Sequence, residues 1–338
     1  MPSSRTTIYD VADRAKVAIS TVSRVINGSS EVSDATRQRV EQAIDDLKFR
    51  PDRLARSLAT SETGTMAVAM PSFTSLFYVE ILKGIKDVLR EHGSDLLLCN
   101  LGSVEPTATL DRFLSRGAVG GLLLTSMTPD DELRQSLERM QAPVILLGAH
   151  DQAFDSLWWD DLEGSKLAVQ HLLDLGHRRI GLISAHEWGL STEPRLNGYR
   201  QSLEAAGIDF DPSLVVTGET KKHAGYSEEA GAEAMAKLMA LDTPPTAVFA
   251  ASDVQAFGAW AYARDNNVRI PRDVSLIGYD NLKLSRFLDL TTVDQDMQQA
   301  GAQAAMRLIT RMNDGAETRL NAKLPLTLVA RGSTAPLA

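Results

Sequence analysis

One cysteine, Cys99, stands alone in 338 residues, which excludes an internal disulfide framework. It sits in Leu96-Leu97-Leu98-Cys99, where a small buried strand residue is expected. The six histidines include no H-E-x-x-H spacing, so no metal ligand is expected. No Walker A loop, no G-x-S-x-G and no G-x-G-x-x-G occurs. Carboxylate pairs such as Asp45-Asp46 read as solvated helix faces. No catalytic residue, no cofactor and no enzyme is therefore expected. No run approaches the ~20 apolar residues of a membrane span. The opening MPSSRTTIYD has no apolar signal core. A cytoplasmic protein with no membrane partner is the expectation.

Basic residues are also outnumbered, 35 against 44 acidic, for a net charge of −9. Taken over the whole chain, that argues against nucleic acid. The charge is uneven, however. Residues 1–60 carry ten Lys/Arg against eight Asp/Glu, or +2, leaving 25 against 36, or −11, for the remainder. A small basic end can meet phosphates while an acidic body weakens non-specific binding. The length allows two or three domains.

What is present begins at Thr6. Ile8, Val11, Ala12 and Ala15 follow the i, i+3, i+4, i+7 spacing of one helix face. Thr7 and Asp10 stand at the spacing of a capping box. After a turn at Lys16–Ala18, a second short helix over Ile19–Ile26 turns Val22, Val25 and Ile26 inward. Asn27-Gly28-Ser29-Ser30 breaks it. A third helix from about Ser33 to Leu47 carries Val40, Ala43, Ile44 and Leu47. Helix, tight turn, helix and supporting helix is the helix-turn-helix arrangement, though periodicity alone also fits an ordinary three-helix bundle. In this motif the second helix enters the major groove. Arg24 can then pair bidentately with guanine, and Thr21 and Ser23 are short donors for phosphate.

TIYDVADRAKVAISTVSRVIN followed by FRPDRLARSL closely resembles the DNA-binding headpiece of the lactose-repressor (LacI/GalR) family. Two departures affect its stability. The family's turn glycine is Lys16 here, and its capping serine on the second helix is Ala18. The resemblance implies a headpiece over residues 1–50 that contacts double-stranded operator DNA through Thr7, Ile19, Ser20, Thr21, Ser23, Arg24 and Asn27. Residues 51–62 would be a hinge helix and linker, with Asp52 as helix cap. There Ala55 and Leu58 would reach the minor groove, Leu58 as an apolar wedge between base pairs.

From Met66 the pattern changes. Apolar runs at Met66–Met70, Asp95–Cys99, Gly121–Thr125, Val144–Leu147, Ile180–Ser184, Ala247–Ala251 and Val274–Tyr279 alternate with helical stretches. Examples are Tyr78–His92, Leu162–Leu175, Arg195–Ala206, Tyr226–Ala240 and Val254–Asn266. Strand and helix in alternation give parallel sheets. Seven runs exceed one small sheet, so the fold class is α/β, an all-α headpiece followed by two doubly wound lobes. Ligands in such sheets bind outside the carboxyl ends of the strands, here between the lobes.

LGHRRI, RLNGY, ASD, IGYDN and LTTVDQ resemble the periplasmic-binding-protein-like effector domain of the same family. That implies an effector-binding and dimerisation body over 63–338. Its N-lobe would span about 63–160 and 293–323, its C-lobe about 164–289 and 328–338. The chain would cross between lobes near Asp160–Gly164, Asp289–Thr292 and Leu324–Leu328. The positions matching effector contacts are Phe77, Asp160, Arg195, Ser252 and Asp280. Each has a plainer alternative: Asp280 and Asp160 could cap helices, and Arg195 could form a surface salt bridge. Ser252 replaces a frequent Asn. Trp158, Trp159 and Trp188 sit in or beside loops, where an aromatic face can pack on a sugar ring. Of these, Trp188 joins the expected effector contacts.

The expected function is thus a ligand-responsive regulator, a repressor, binding a two-fold symmetric operator as a homodimer. The expected effector is a small molecule of the sugar class. A solute-binding transport protein shares the body fold, but would need an export signal and no headpiece. The chain ends RGSTAPLA without a leucine heptad, which favours a dimer over a tetramer.

Overall fold

In the computed structural model the described residues are 6–26, 29, 31–49, 65–102, 105–115, 119–140, 142–186, 189–314 and 318–337. The expected hinge helix with Ala55 and Leu58, and also Asn27 and Trp188, lie outside them. Two compact units divide the chain, 1–63 and 64–338.

Among the described residues the first unit holds three helices, α1 (Ile8–Ala15), α2 (Ile19–Ile26) and α3 (Asp34–Asp46). Thr7 starts α1 through a reciprocal capping box: its backbone N–H donates to Asp10 at 2.7 Å, and its hydroxyl accepts from the Asp10 N–H at 3.4 Å. Lys16 ends α1 in the left-handed region, φ 52°. That is a conformation in which glycine carries no side-chain penalty. Ala18 offers α2 only its carbonyl, which accepts from Thr21 and Val22. Val11, Ala12, Ala15, Val22, Val25, Val40 and Ala43 form the core, the periodicity-predicted positions of all three helices.

The second unit contains two six-stranded sheets. The first is built from β1 (Thr65–Met70), β2 (Asp95–Asn100), β3 (Gly121–Thr125), β4 (Val144–Leu147), β5 (Asp155–Trp158) and β11 (Asn321–Lys323), in the order β11-β5-β4-β3-β1-β2. All its pairings are parallel. The second has β6 (Ile180–Ser184), β7 (Val215–Thr217), β8 (Ala247–Ala250), β9 (Ser275–Asp280), β10 (Thr291–Asp294) and β12 (Thr327–Val329), in the order β12-β10-β9-β8-β6-β7. Only β12 runs antiparallel. Eight helices cover the sheets: α4 (Leu76–His92), α5 (Pro106–Leu114), α6 (Asp131–Glu138), α7 (Asp161–Asp174), α8 (Thr192–Ala205), α9 (Glu228–Met239), α10 (Asp253–Asp265) and α11 (Met297–Asp314). The central strands β3, β4, β6 and β8 are buried at every position, and apolar or glycine except for the closing Thr125 and Ser184. Strands covered on both faces require that.

The strand order reverses between β1 and β3, and again between β6 and β8. Those switch points open crevices at the strand carboxyl ends, where ligands bind in such sheets. The chain passes between lobes three times, at Trp159–Asp160, at Gln295–Asp296 and at Leu324–Leu326. The second crossing corrects the expected boundary at Asp289–Thr292. Residues 291–294 form β10, paired with β9 and β12 in the second sheet. Buried threonines hold it there: the Thr291 N–H donates to Ser333 at 2.8 Å, and the Thr292 hydroxyl to Asp253 at 2.6 Å. Trp158 ends β5, beside the short connection at Trp159–Asp160.

The carboxyl-terminal tail is strapped to the second lobe. His177 is buried; its Nε2 lies 3.0 Å from the Ala335 carbonyl and its Nδ1 3.0 Å from the Thr246 hydroxyl. His171 meets Thr334 at 2.9 Å. Burial lowers both imidazole pKa values below the ordinary 6.5, because desolvation disfavours the charged form. The unfolded chain then binds protons first. The stabilisation is complete above pH 6.5 and is lost as pH falls through that value toward the lowered folded one. Thermal midpoints should decline below pH about 6.5, with a shallower decline in His171→Gln and His177→Gln. Equal slopes in all three proteins would contradict the assignment.

Candidate functional site

On the first unit, α2 turns Val22 and Val25 inward. Ile19, Ser20 and Arg24 are exposed, and Thr21 and Ser23 half-buried. Ile19 is 41% exposed despite being apolar, so the start of α2 presents a surface that the core does not use. Among the described residues Arg24 has a loose contact with Glu31, 3.9 Å between two exposed side chains, which can give way to another partner. Thr7 is exposed but engaged in its capping box, its hydroxyl 2.7 Å from Asp10.

On the second unit, the expected residues gather at strand carboxyl ends. Arg195, in the first turn of α8, is buried. Its Nε and Nη2 donate to Asp161 Oδ1 at 2.9 and 2.8 Å, and its Nη1 donates to the Ala251 carbonyl. The guanidinium stacks on the Tyr279 ring, 3.7 Å from its centroid. This is no surface salt bridge. Burial opposes the Arg195 charge, but Asp161 together with Tyr279, Tyr226 and Asp280 outweighs it, and the Arg195 pKa rises.

Asp280 closes β9 and is buried. Its φ of 119° is strained for a residue with a side chain, and Asn281 follows at φ 55°. Backbone strain of this kind concentrates at functional positions. Burial raises the Asp280 pKa well above the usual carboxylate range, against the pull of Arg195. Beside it, Asp253 accepts from the Leu282 N–H at 2.8 Å, from the Thr292 hydroxyl at 2.6 Å and from Ser285. Burial pushes Asp253 up to about 6. Asp253 thereby pins the turn that carries Asp280.

Two expected contacts are occupied otherwise. Ser252 is buried as the cap of α10, accepting from Gln255 N at 3.2 Å. Asp160 caps α7, accepting from Glu163 N at 3.2 Å, and pairs with Lys323 at 2.6 Å. The helix-capping alternative thus accounts for one carboxylate oxygen of Asp160, and Lys323 of β11 takes the other.

The first lobe supplies an aromatic wall. Phe77 packs edge-on against Tyr78 and Trp159, with centroids 5.1 and 6.0 Å apart. Trp159 is buried and donates to the Gln295 carbonyl at 2.8 Å, tying the wall to the second crossing. Burial raises the Tyr78 pKa, while a hydrogen bond to Ser126 opposes the shift; Tyr226 and Asp280 of the other lobe raise it further. Tyr78, Asp161, Asp253 and Tyr279 are the members that sequence reasoning did not single out. Tyr78 and Asp161 each adjoin a residue that was chosen. Asp253 and Tyr279 lie within the ASD and IGYDN stretches.

Together these features define a protein with a helix-turn-helix unit and a two-sheet body of periplasmic-binding-protein type. Residues 7–52 match the family described as bacterial regulatory proteins, lacI family, and residues 169–334 the periplasmic binding protein-like domain. The HTH-type transcriptional repressor CytR of Escherichia coli is 34% identical over 98% of this chain and 97% of its own. Among solved structures, the transcriptional regulator CelR–cellobiose complex is 32% identical with a TM-score of 0.70, covering 97% of this chain and 100% of that one. The lac repressor dimer bound to operator and the anti-inducer ONPF is 29% identical with a TM-score of 0.80, covering 98% and 100%. The chain belongs to the lacI family of bacterial regulatory proteins. It is a transcriptional regulator, and the solute-binding alternative falls with the headpiece. Among the described residues no helix is long and apolar enough to cross a membrane, and no His/Cys/Asp/Glu group could hold a metal.

Proposed function

We propose that this chain is a cytoplasmic, non-enzymatic repressor whose homodimer binds a two-fold symmetric double-stranded operator. A neutral sugar between the lobes would control its affinity for that site. The observation that carries the reading is one chain holding both an unoccupied α2 surface and a polar, aromatic-walled cleft. Two solved relatives, a cellobiose complex and an operator-bound dimer, support it. Ile19 and Ser20 read base edges, Thr21 and Ser23 meet phosphate, and Arg24 pairs with guanine. Phe77, Arg195 and Asp280 hold the effector, with Tyr78 and Trp159 completing the wall. Exposed Leu97 and Leu98 on edge strand β2, and exposed Leu284 and Phe287, supply apolar faces for a second copy, since such edges need covering.

Selection from randomised duplexes at fixed salt tests the α2 assignment. Ser20→Asn should change the preferred operator bases, each mismatch costing about 1–3 kcal/mol. Thr21→Ala should weaken all sequences alike. An unchanged base preference in Ser20→Asn would remove Ser20 from the reading surface.

A further inference from the structure

The Arg195 fork already holds an anion. We propose that Asp161 is a specificity-determining residue of the cleft, an internal carboxylate that fills the charged face of Arg195 and restricts the effector to uncharged ligands. This rests on the cleft being the effector site. It adds which ligands the cleft refuses, and why.

A guanidinium has five N–H donors. Two point at Asp161 Oδ1, at 2.9 and 2.8 Å, and one at the Ala251 carbonyl. Two remain, enough to donate to the oxygen of a hydroxyl. The charge is another matter. Asp161 is held against a cation whose side chain is 6% exposed, so the pair is shielded from water and its attraction is strong. The other charged groups around the site are also acidic. Asp280 faces Arg195 from β9, and Asp253 of α10 faces Asp280 in turn, with Arg331 of the tail as the cation acting on Asp253. The tyrosines around the site, Tyr78, Tyr226 and Tyr279, carry no positive charge in either protonation state, and burial holds Tyr78 and Tyr279 neutral. An incoming phosphate or carboxylate must either displace Asp161 or share the guanidinium with it, and both arrangements set two anions against one cation. Like charges juxtaposed in a site are a device for rejecting wrong ligands. A neutral polyol meets no such cost, since Asp280 accepts its hydroxyls and the two spare N–H groups of Arg195 donate to them.

The test uses the full chain and matched neutral and anionic probes: ribose with ribose 5-phosphate, galactose with galacturonate, and adenosine with adenosine monophosphate. Calorimetry on the wild type should show the neutral member of a binding pair preferred by about tenfold or more. Thermal shift with sodium sulfate at constant ionic strength should show no specific stabilisation. Asp161→Asn should narrow or invert the preference by about tenfold, and should gain sulfate-dependent stabilisation that Asp161→Asn/Arg195→Gln loses. A wild type that prefers the anionic member, or that is itself stabilised by sulfate through Arg195, overturns the proposal without need of any variant. So does an Asp161→Asn protein that gains no anion affinity. Wild type binding neither member of any pair would count against the sugar reading instead, while the sulfate arm, which needs no effector, still decides the role of Asp161.

Discussion

Replacing Asp155 by alanine should destabilise the body by about 3 kcal/mol, the low end for removing one partner of a buried ion pair. Asp155 opens β5 and is buried. It accepts from Arg307 Nη2 at 3.0 Å and from the Leu320 N–H, and pairs with Arg311 Nε at 3.2 Å. One carboxylate therefore joins α11, β5 and the approach to β11. Among the described residues Arg307 Nε has no partner, so losing Asp155 leaves a poorly satisfied cation facing the first sheet. Arg307 and Arg311 keep some water contact, 19% and 26% side-chain exposure, which is why the low end applies. For a body of this size, the thermal midpoint should drop by about 6–12 °C. Asp155→Asn should fall between wild type and alanine. A midpoint within a degree or two of wild type for Asp155→Ala would show that the two arginines find other partners.

Replacing Arg195 by lysine should weaken effector binding by about 10–150-fold, the effect of losing about 1.5–3 kcal/mol of charged hydrogen bonding. Lysine keeps the charge opposite Asp161 but lacks the planar fork and its stacking on Tyr279. Alanine is the poorer probe, because it would leave Asp161 and Asp280 facing each other without a cation. Asp280→Asn should lose affinity similarly while keeping the turn. Calorimetry with the neutral ligand reads the loss, and ligand-free operator binding serves as the folding control. Wild-type affinity in both variants would move the effector site elsewhere.

The helices of the headpiece were legible because each buries one face at regular spacing, and Val11, Val22, Val25 and Val40 are indeed its core. The central strands were legible as unbroken apolar runs. The shorter outer strands were not. β5 begins with the buried carboxylate of Asp155, and β10 with threonines whose hydroxyls are spent inside the fold. Polar residues satisfied by distant partners look like loop in one dimension. Met297–Asp314 gives a weak helical signal for a related reason. Its core positions include Ala300, Ala304 and Ala305, and Gly301 lets it approach α4 so closely that an added Cβ would sit 2.3 Å from the Ile81 carbonyl.

Part of the candidate site was visible as separate motifs, and what the sequence hid was which groups touch. Arg195 and Asp280 stood out as a donor fork and a strand-end carboxylate. That the fork is filled by Asp161, 34 positions earlier, has no local signature. The capping roles of Ser252 and Asp160 are local, each accepting from an N–H three residues on, and the spacing permitted them.

The most direct test of the account is a fluorescence-anisotropy titration of the full chain at one fixed salt. The duplexes would be the one recovered by selection and a scrambled control, each with and without a neutral sugar that stabilises the body. The selected duplex should have two-fold symmetry and bind at least about 10³ more tightly than the control. The sugar should change that affinity by about 5–150-fold. Equal affinity for both duplexes, or an operator affinity indifferent to a bound sugar, would contradict it.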